Sequence, residues 1–195
     1  MKLEAVRRMI EQNVSSPRAT GAGRWFDAMA ALIGVRDEIS YEGQAAIELE
    51  ALAATVVTQT ERGHDATDPY AFACEAKSDQ PFVIDLRPTV RAILSALRRR
   101  EPQARIAARF HATMAEAVLE ACRRVRSETR VQTVALSGGC FQSRLLTETT
   151  KRRLESAGFE VLLHRRVPPN DGGIALGQAA VAAYRNRAGE RTKEA

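Results

Sequence analysis

The stretch VALSGGCFQSRLL, Val134 to Leu146, passes from an apolar, β-prone run through Ser137, Gly138 and Gly139 into a segment of helical character. Chain reversal alone is served by Asn-Gly or Pro-Gly, so two glycines between a strand and a helix start predict a close approach to the backbone. Around this stretch the last third of the chain follows a simple order. Strand VQTVAL (131–136) and the glycine loop lead to helix FQSRLLTETTKRRLESA (141–157), which stops at Gly158. Strand FEVLLH (159–164), loop RRVPPNDGG (165–173) and helix IALGQAAVAAYRNR (174–187) follow. That β-α-β-α order predicts two parallel strands joined by a right-handed crossover, with ligands beyond the carboxyl ends of the strands. Both the Ser137–Cys140 loop and the Pro168–Gly173 loop fall at such ends.

Upstream the pattern is mostly helical. Helices are expected over 3–12, over Arg24–Ile33 with Gly34 as a left-handed cap, and over Glu42–Val57, where Ala45, Leu49, Leu52 and Val56 form a buried stripe. QTERGHDATDP (59–69) reads as a polar loop, and the short runs YAFACEA and PFVIDL as a hairpin across KSDQ. Pro88 suits the first turn of a helix over 88–99. A long helix over 102–126 is expected to face the core with Phe110, Met114, Ala117, Val118, Ala121 and Val125. Residues 188–195 read as a frayed polar tail. The chain is thus expected to divide into a helical part with a hairpin, 1–100, and a β-α-β-α lobe, 101–195.

Composition removes several function classes. With 45% hydrophobic and 27% charged residues, the chain has the balance of a globular domain, and no apolar block of about 18 residues is available to span a bilayer. The first residues, MKLEAVRRMIEQNV, mix charges into their apolar positions, unlike a secretory signal, and a cytoplasmic protein is expected. Net charge is +5, but the arginines are spread along the chain and cluster at helix ends, where cations suit the dipole. No aromatics alternate with them as a single-strand groove requires, so a nucleic-acid partner is not expected. Cys74, Cys122 and Cys140 are too few and too far apart for a disulfide framework or a zinc knuckle.

Five constellations remain that bear on chemistry. The Gly138-Gly139 turn offers backbone N–H groups and a helix N-terminus to a phosphate, though no Walker A pattern exists and GAGRWF lacks the third glycine of a dinucleotide fingerprint. Without a Walker lysine, the LSGG tetrapeptide does not make an ABC-type ATPase. Cys140 follows the glycines at a helix start that favours a thiolate, yet packing as a small apolar residue is the simpler reading. In PPNDGG, Asp171 is either the cap of the last helix or a metal ligand on a stiff loop that its glycines keep open. His64 with Asp68 has helical spacing but lies in a loop, and only His64, His111 and His164 offer nitrogen, with no paired H-x-x-x-H motif. Asp27, between Phe26 and Met29 on an apolar helix, either faces solvent or meets ribose hydroxyls.

Taken in order, GRWFDAMAALIG, SYEGQAAIELEALA, IAARFHATMAEAV, VALSGGCFQSRLL and HRRVPPNDGGIALGQAAVAA resemble the C-terminal part of the HypF carbamoyltransferases of NiFe-hydrogenase maturation. The resemblance covers about Pro17 to Tyr184. More distantly the chain is similar to TsaD-type threonylcarbamoyl transferases and antibiotic O-carbamoyltransferases. It implies an α/β, partial actin-like (RNase H-like) ATPase-type fold. It further implies transfer of a carbamoyl group from carbamoyl-adenylate, made from carbamoyl phosphate and ATP, to the C-terminal cysteine of a HypE-like partner. That product leads toward the cyanide ligands of the hydrogenase iron. Gly138, Gly139 and Ser143 would then lie at nucleotide phosphate, and Asp27 and Gly43 at the ribose. Asp171 would hold a divalent metal (Mg, Fe or Zn). No catalytic residue is singled out. Ser143 stands where the family has Asn, and Ala19-Thr20-Gly21 where it has Thr-Ser-Ser. The upstream domains and the first lobe with its metal histidines are absent from these residues. A fragment or truncated homologue, inactive alone and prone to pair through uncovered apolar surface into a homodimer, is therefore expected. The competing reading is a non-catalytic nucleotide- or partner-binding lobe.

Overall fold

The computed structural model describes residues 2–17, 19–57, 68–75 and 81–191; His64 and most of the 59–69 loop lie outside them. Seven helices and four strands follow in the order α1 (Lys2–Glu11), α2 (Ala22–Ile33), α3 (Gln44–Val57), β1 (Ala73–Glu75), β2 (Val83–Asp85), α4 (Arg87–Arg98), α5 (Gln103–Thr129), β3 (Thr133–Leu136), α6 (Arg144–Ser156), β4 (Glu160–Leu163) and α7 (Ile174–Arg191).

Helix α5 is the spine. Ile106, Ala107, Phe110 and Ala115 are fully buried against Phe26, Ala30 and Ile33 of α2, Leu49 and Ala53 of α3, and Ile93 of α4. The small residues let helices approach closely, and the Phe26 and Phe110 rings meet edge to face at 5.2 Å. The apolar spacing expected of α5 holds through Ala117, but Val125 is largely exposed. The helix outruns the core there and continues to an αL cap at Arg130. Gly34 caps α2 in the left-handed conformation, as its sequence implies.

β1 and β2 pair antiparallel, Cys74 opposite Ile84. β3 and β4 pair parallel, with Val134 opposite Val161 and Leu136 opposite Leu163. A second apolar cluster of Leu119, Leu136, Leu154 and Phe159 lies under this pair and sets α6 against α5. Two of the boundaries that differ from the sequence reading lie in the last third of the chain. The segment after the glycines first makes a short 3-10 turn, Gly139–Gln142, and the α-helix starts only at Arg144. The last helix runs on to Arg191 instead of fraying after Arg187.

Candidate functional site

The parallel register brings the two loops together. Because Leu136 pairs with Leu163, the next residues on each strand are neighbours, and His164 Nε2 lies 3.0 Å from Ser137 Oγ. The Gly138 N–H donates to the Pro169 carbonyl at 2.6 Å, and the Ser137 hydroxyl reaches the same carbonyl at 3.4 Å. The SGG and PPNDGG loops therefore form one rim at the carboxyl ends of β3 and β4. Asp171 stands two residues from that bond, with an exposed carboxylate.

The glycines on the two loops serve different ends. Gly138 sits at φ +105°, ψ 160°, a backbone region essentially closed to side chains. A Cβ at Gly138 or Gly139 would meet nothing within 4 Å, so the ground in front of this loop is open. Gly172 and Gly173 are the reverse. A Cβ on Gly172 would come 3.1 Å from Asn170 Oδ1 and Pro168 Cγ, and one on Gly173 3.1 Å from the Pro168 carbonyl. Their lack of side chains lets the proline loop fold tightly on itself; it does not keep the site open, contrary to the sequence expectation.

The N-terminus of α6 is not vacant for an anion. The Ser143 hydroxyl accepts from the Leu146 N–H at 3.2 Å, and Glu50 of α3 accepts from the Leu145 N–H at 2.8 Å. Ser143 is therefore the N-cap, and a carboxylate already answers the positive helix end. The expectation that the α6 dipole receives a phosphate is corrected by these two bonds. Among the described residues the donors without a backbone acceptor are one turn earlier, at Gly139 and Cys140, the Cys140 N–H turning to its own thiol, while Phe141 N–H bonds back to Gly138. Successive N–H groups without a backbone acceptor on an open glycine turn form an anion-binding concavity. Ser143 keeps only its O–H proton to offer a ligand.

α2 supplies the flank. Cys140 Sγ lies 3.8 Å from the place where a Cβ on Gly23 would stand, one turn from Asp27. Burial, and then the charge of Asp27, push the Cys140 thiol up from its ordinary pKa. It is a packing residue and not an activated thiolate, since the site offers the thiolate a repelling carboxylate. Asp27 is about one-third exposed and pairs with Arg24 at 3.2 Å. Gly43 opens α3 with φ +81° and nothing near its missing Cβ. It lies about two helical turns, roughly 10 Å, from Glu50 along α3. Asp27 is thus brought beside the glycine loop, while Gly43 is held at a distance along α3.

The sequence reading also exchanged two caps. Asn170, not Asp171, caps the final helical segment: its side chain accepts from the Gly172 N–H at 3.1 Å. That leaves the Asp171 carboxylate uncommitted. It does not complete a metal centre, because no three His, Cys, Asp or Glu side chains converge among the described residues. No chemical step is assigned to a metal here. Ser137, His164 and Glu50 are the members of the site that sequence reasoning did not place.

The family of the carbamoyltransferase Kae1-like domain, second subdomain, matches residues 1–178. The chain belongs to that family. It is 38% identical over 92% of its length to the carbamoyltransferase HypF2 of Cupriavidus necator, and 34% identical over 88% to the carbamoyltransferase HypF of Synechocystis. It spans 24% and 20% of those two relatives. Superposition on a crystal structure of full-length HypF in its phosphate- and nucleotide-bound form gives a TM-score of 0.82 at 35% identity, covering 93% of this chain and 22% of that one. T. kodakarensis HypF shares the fold at TM-score 0.77 over 96% of the chain. The Kae1-like second subdomain is therefore a HypF-type α/β unit, part of an actin-like ATPase fold. No helix among the described residues is long and apolar enough to cross a membrane.

Proposed function

We propose that this subdomain is the phosphate-binding half of a HypF-type carbamoyl transfer site, with the Gly139 and Cys140 N–H groups as the seat of a nucleotide phosphate. The observation that carries this reading is the open glycine turn: two adjacent N–H groups with no backbone acceptor, held in place by the Gly138 to Pro169 hydrogen bond. It is supported by the likeness to a HypF structure that holds phosphate and nucleotide. Asp27 and Gly43 lie on the ribose side, and the Ser143 O–H is the donor at the far edge of the phosphate. Asp171 is one ligand of a divalent cation whose remaining ligands come from outside these residues.

In the proposed reaction the cysteine sulfur at the C-terminus of a HypE-like partner attacks the carbamoyl carbon of carbamoyl-adenylate. A C–S bond forms, the bond from that carbon to the phosphate oxygen breaks, AMP leaves, and the thiol proton passes to solvent or a base. Backbone N–H groups at the phosphate stabilise the charge that grows on the leaving AMP. The other half of the site belongs to the first subdomain, which rests on α7, where Ile174, Leu176, Val181 and Tyr184 are more than half exposed.

The test is transfer of labelled carbamoyl from carbamoyl-adenylate to a HypE-like protein. The 195-residue chain alone is expected to give no turnover, and addition of the first subdomain to restore it. Restored nucleotide binding with no labelled partner would favour the competing reading, a lobe that binds without catalysing. That alternative has one observation of its own: Ser143, in the family's Asn position, is occupied in capping α6.

A further inference from the structure

The Ser137 hydroxyl on the rim has two neighbours. His164 Nε2 lies 3.0 Å from Ser137 Oγ, and the Pro169 carbonyl lies 3.4 Å from it. A hydroxyl has one proton to give and lone pairs with which to accept. If the Ser137 proton went to His164, the contact with the carbonyl would hold no hydrogen. Both contacts are hydrogen bonds in one arrangement only: His164 Nε2–H donates to Ser137 Oγ, and Ser137 O–H donates to the Pro169 carbonyl.

The outer link of this chain is the weak one. O–H donors sit most often about 2.7–2.8 Å from an acceptor oxygen, and the Pro169 carbonyl already accepts from the Gly138 N–H at 2.6 Å. The Ser137 proton is therefore lightly held, and an anionic oxygen is a stronger acceptor than a carbonyl. Ser137 is exposed and directly precedes Gly138 and Gly139. Its proton can leave the carbonyl without any backbone movement, because the Gly138 N–H continues to hold that carbonyl.

Given a nucleotide phosphate on the glycine turn, the reading on which this step rests, we propose that the Ser137 hydroxyl is a further donor to that phosphate and that His164 is its positioning residue. By giving Nε2–H to Ser137 Oγ, the imidazole turns the hydroxyl proton away from itself and leaves it for a phosphate oxygen.

Two measurements test this. In the 195-residue chain, long-range proton–nitrogen correlation NMR at about pH 8, where an ordinary imidazole is neutral, reports which ring nitrogen of His164 carries the proton. Protonated Nε2 is expected. A proton on Nδ1, with Nε2 accepting, overturns the proposal whatever the glycine turn binds. The second measurement is calorimetric titration of AMP with the first subdomain supplied. Ser137→Ala should weaken AMP about tenfold, the scale of one hydrogen bond to a charged acceptor. His164→Ala should weaken it several-fold when Ser137 is present and not at all in the Ser137→Ala background. His164→Gln keeps an N–H donor and should recover most of the affinity. Both side chains are exposed, so the variants leave the core intact. AMP binding that ignores Ser137→Ala, losses that simply add, or no recovery with glutamine overturns this proposal alone. Failure of the native protein to bind AMP overturns the phosphate seat and this proposal with it.

Discussion

The Gly138 N–H and the Pro169 carbonyl, 2.6 Å apart, tie the loop after β3 to the loop after β4. This one bond joins the two loops into a single rim and fixes the direction in which the next two N–H groups point. It requires Gly138 at a φ of +105°.

Gly138→Ala forces a side chain into that region and should destabilise the fold by about 1–3 kcal/mol. Urea unfolding of the two proteins measures it. An unchanged midpoint would mean that the loop relaxes freely and that the rim is not a fixed structure.

Glu50→Ala should leave the Leu145 N–H without its acceptor and remove a carboxylate from the α6 N-terminus. A loss of about 1–2 kcal/mol is expected from an orphaned, partly buried donor. Glu50→Gln retains an acceptor oxygen and should recover most of it. Equal loss in both variants would point to the charge alone.

His111 gives the fold a pH dependence. It is buried against Phe26 and Phe110, its Nδ1–H donates to the Ala107 carbonyl at 2.9 Å, and its Nε2 meets no hydrogen-bond partner among the described residues. Burial lowers its pKa in the folded state. The unfolded chain therefore binds a proton that the folded one refuses. Stability from this group is complete above its ordinary pKa of about 6.5 and falls below it, by up to about 1.4 kcal/mol per pH unit, until the folded pKa is reached. Unfolding at pH 7.5, 6.5 and 5.5 should show this slope in the native chain and lose it in His111→Phe. The same slope in both would assign the effect to other groups.

The parts legible in the sequence are those fixed by local chemistry. The β3-α6-β4 unit shows itself because apolar runs of strand length flank a helix bounded by Gly-Gly and Gly158. Ser143 was also legible: a serine just before Arg-Leu-Leu is an N-cap signal, overshadowed by the glycines ahead of it. Asn170 and Asp171 are both good caps, and only the extended backbone imposed after two prolines selects Asn170. The contact of Ser137 with His164 needed the strand register, and that of Glu50 with Leu145 joins residues 95 positions apart. Long-range pairings of this kind have no periodicity to reveal them. The crowding of Gly172 and Gly173 was likewise invisible until the proline loop was seen folded back on itself.

The central claim, that the turn at Gly138–Cys140 receives a nucleotide phosphate, is tested most directly by Gly139→Val. A Cβ there meets nothing within 4 Å, so the unfolding midpoint should stay close to that of the native protein. It would, however, stand in front of the Gly139 and Cys140 N–H groups. Calorimetric titration of AMP, with the first subdomain supplied, should show affinity reduced at least tenfold in the variant. Undiminished AMP affinity in a folded Gly139→Val protein would contradict the account.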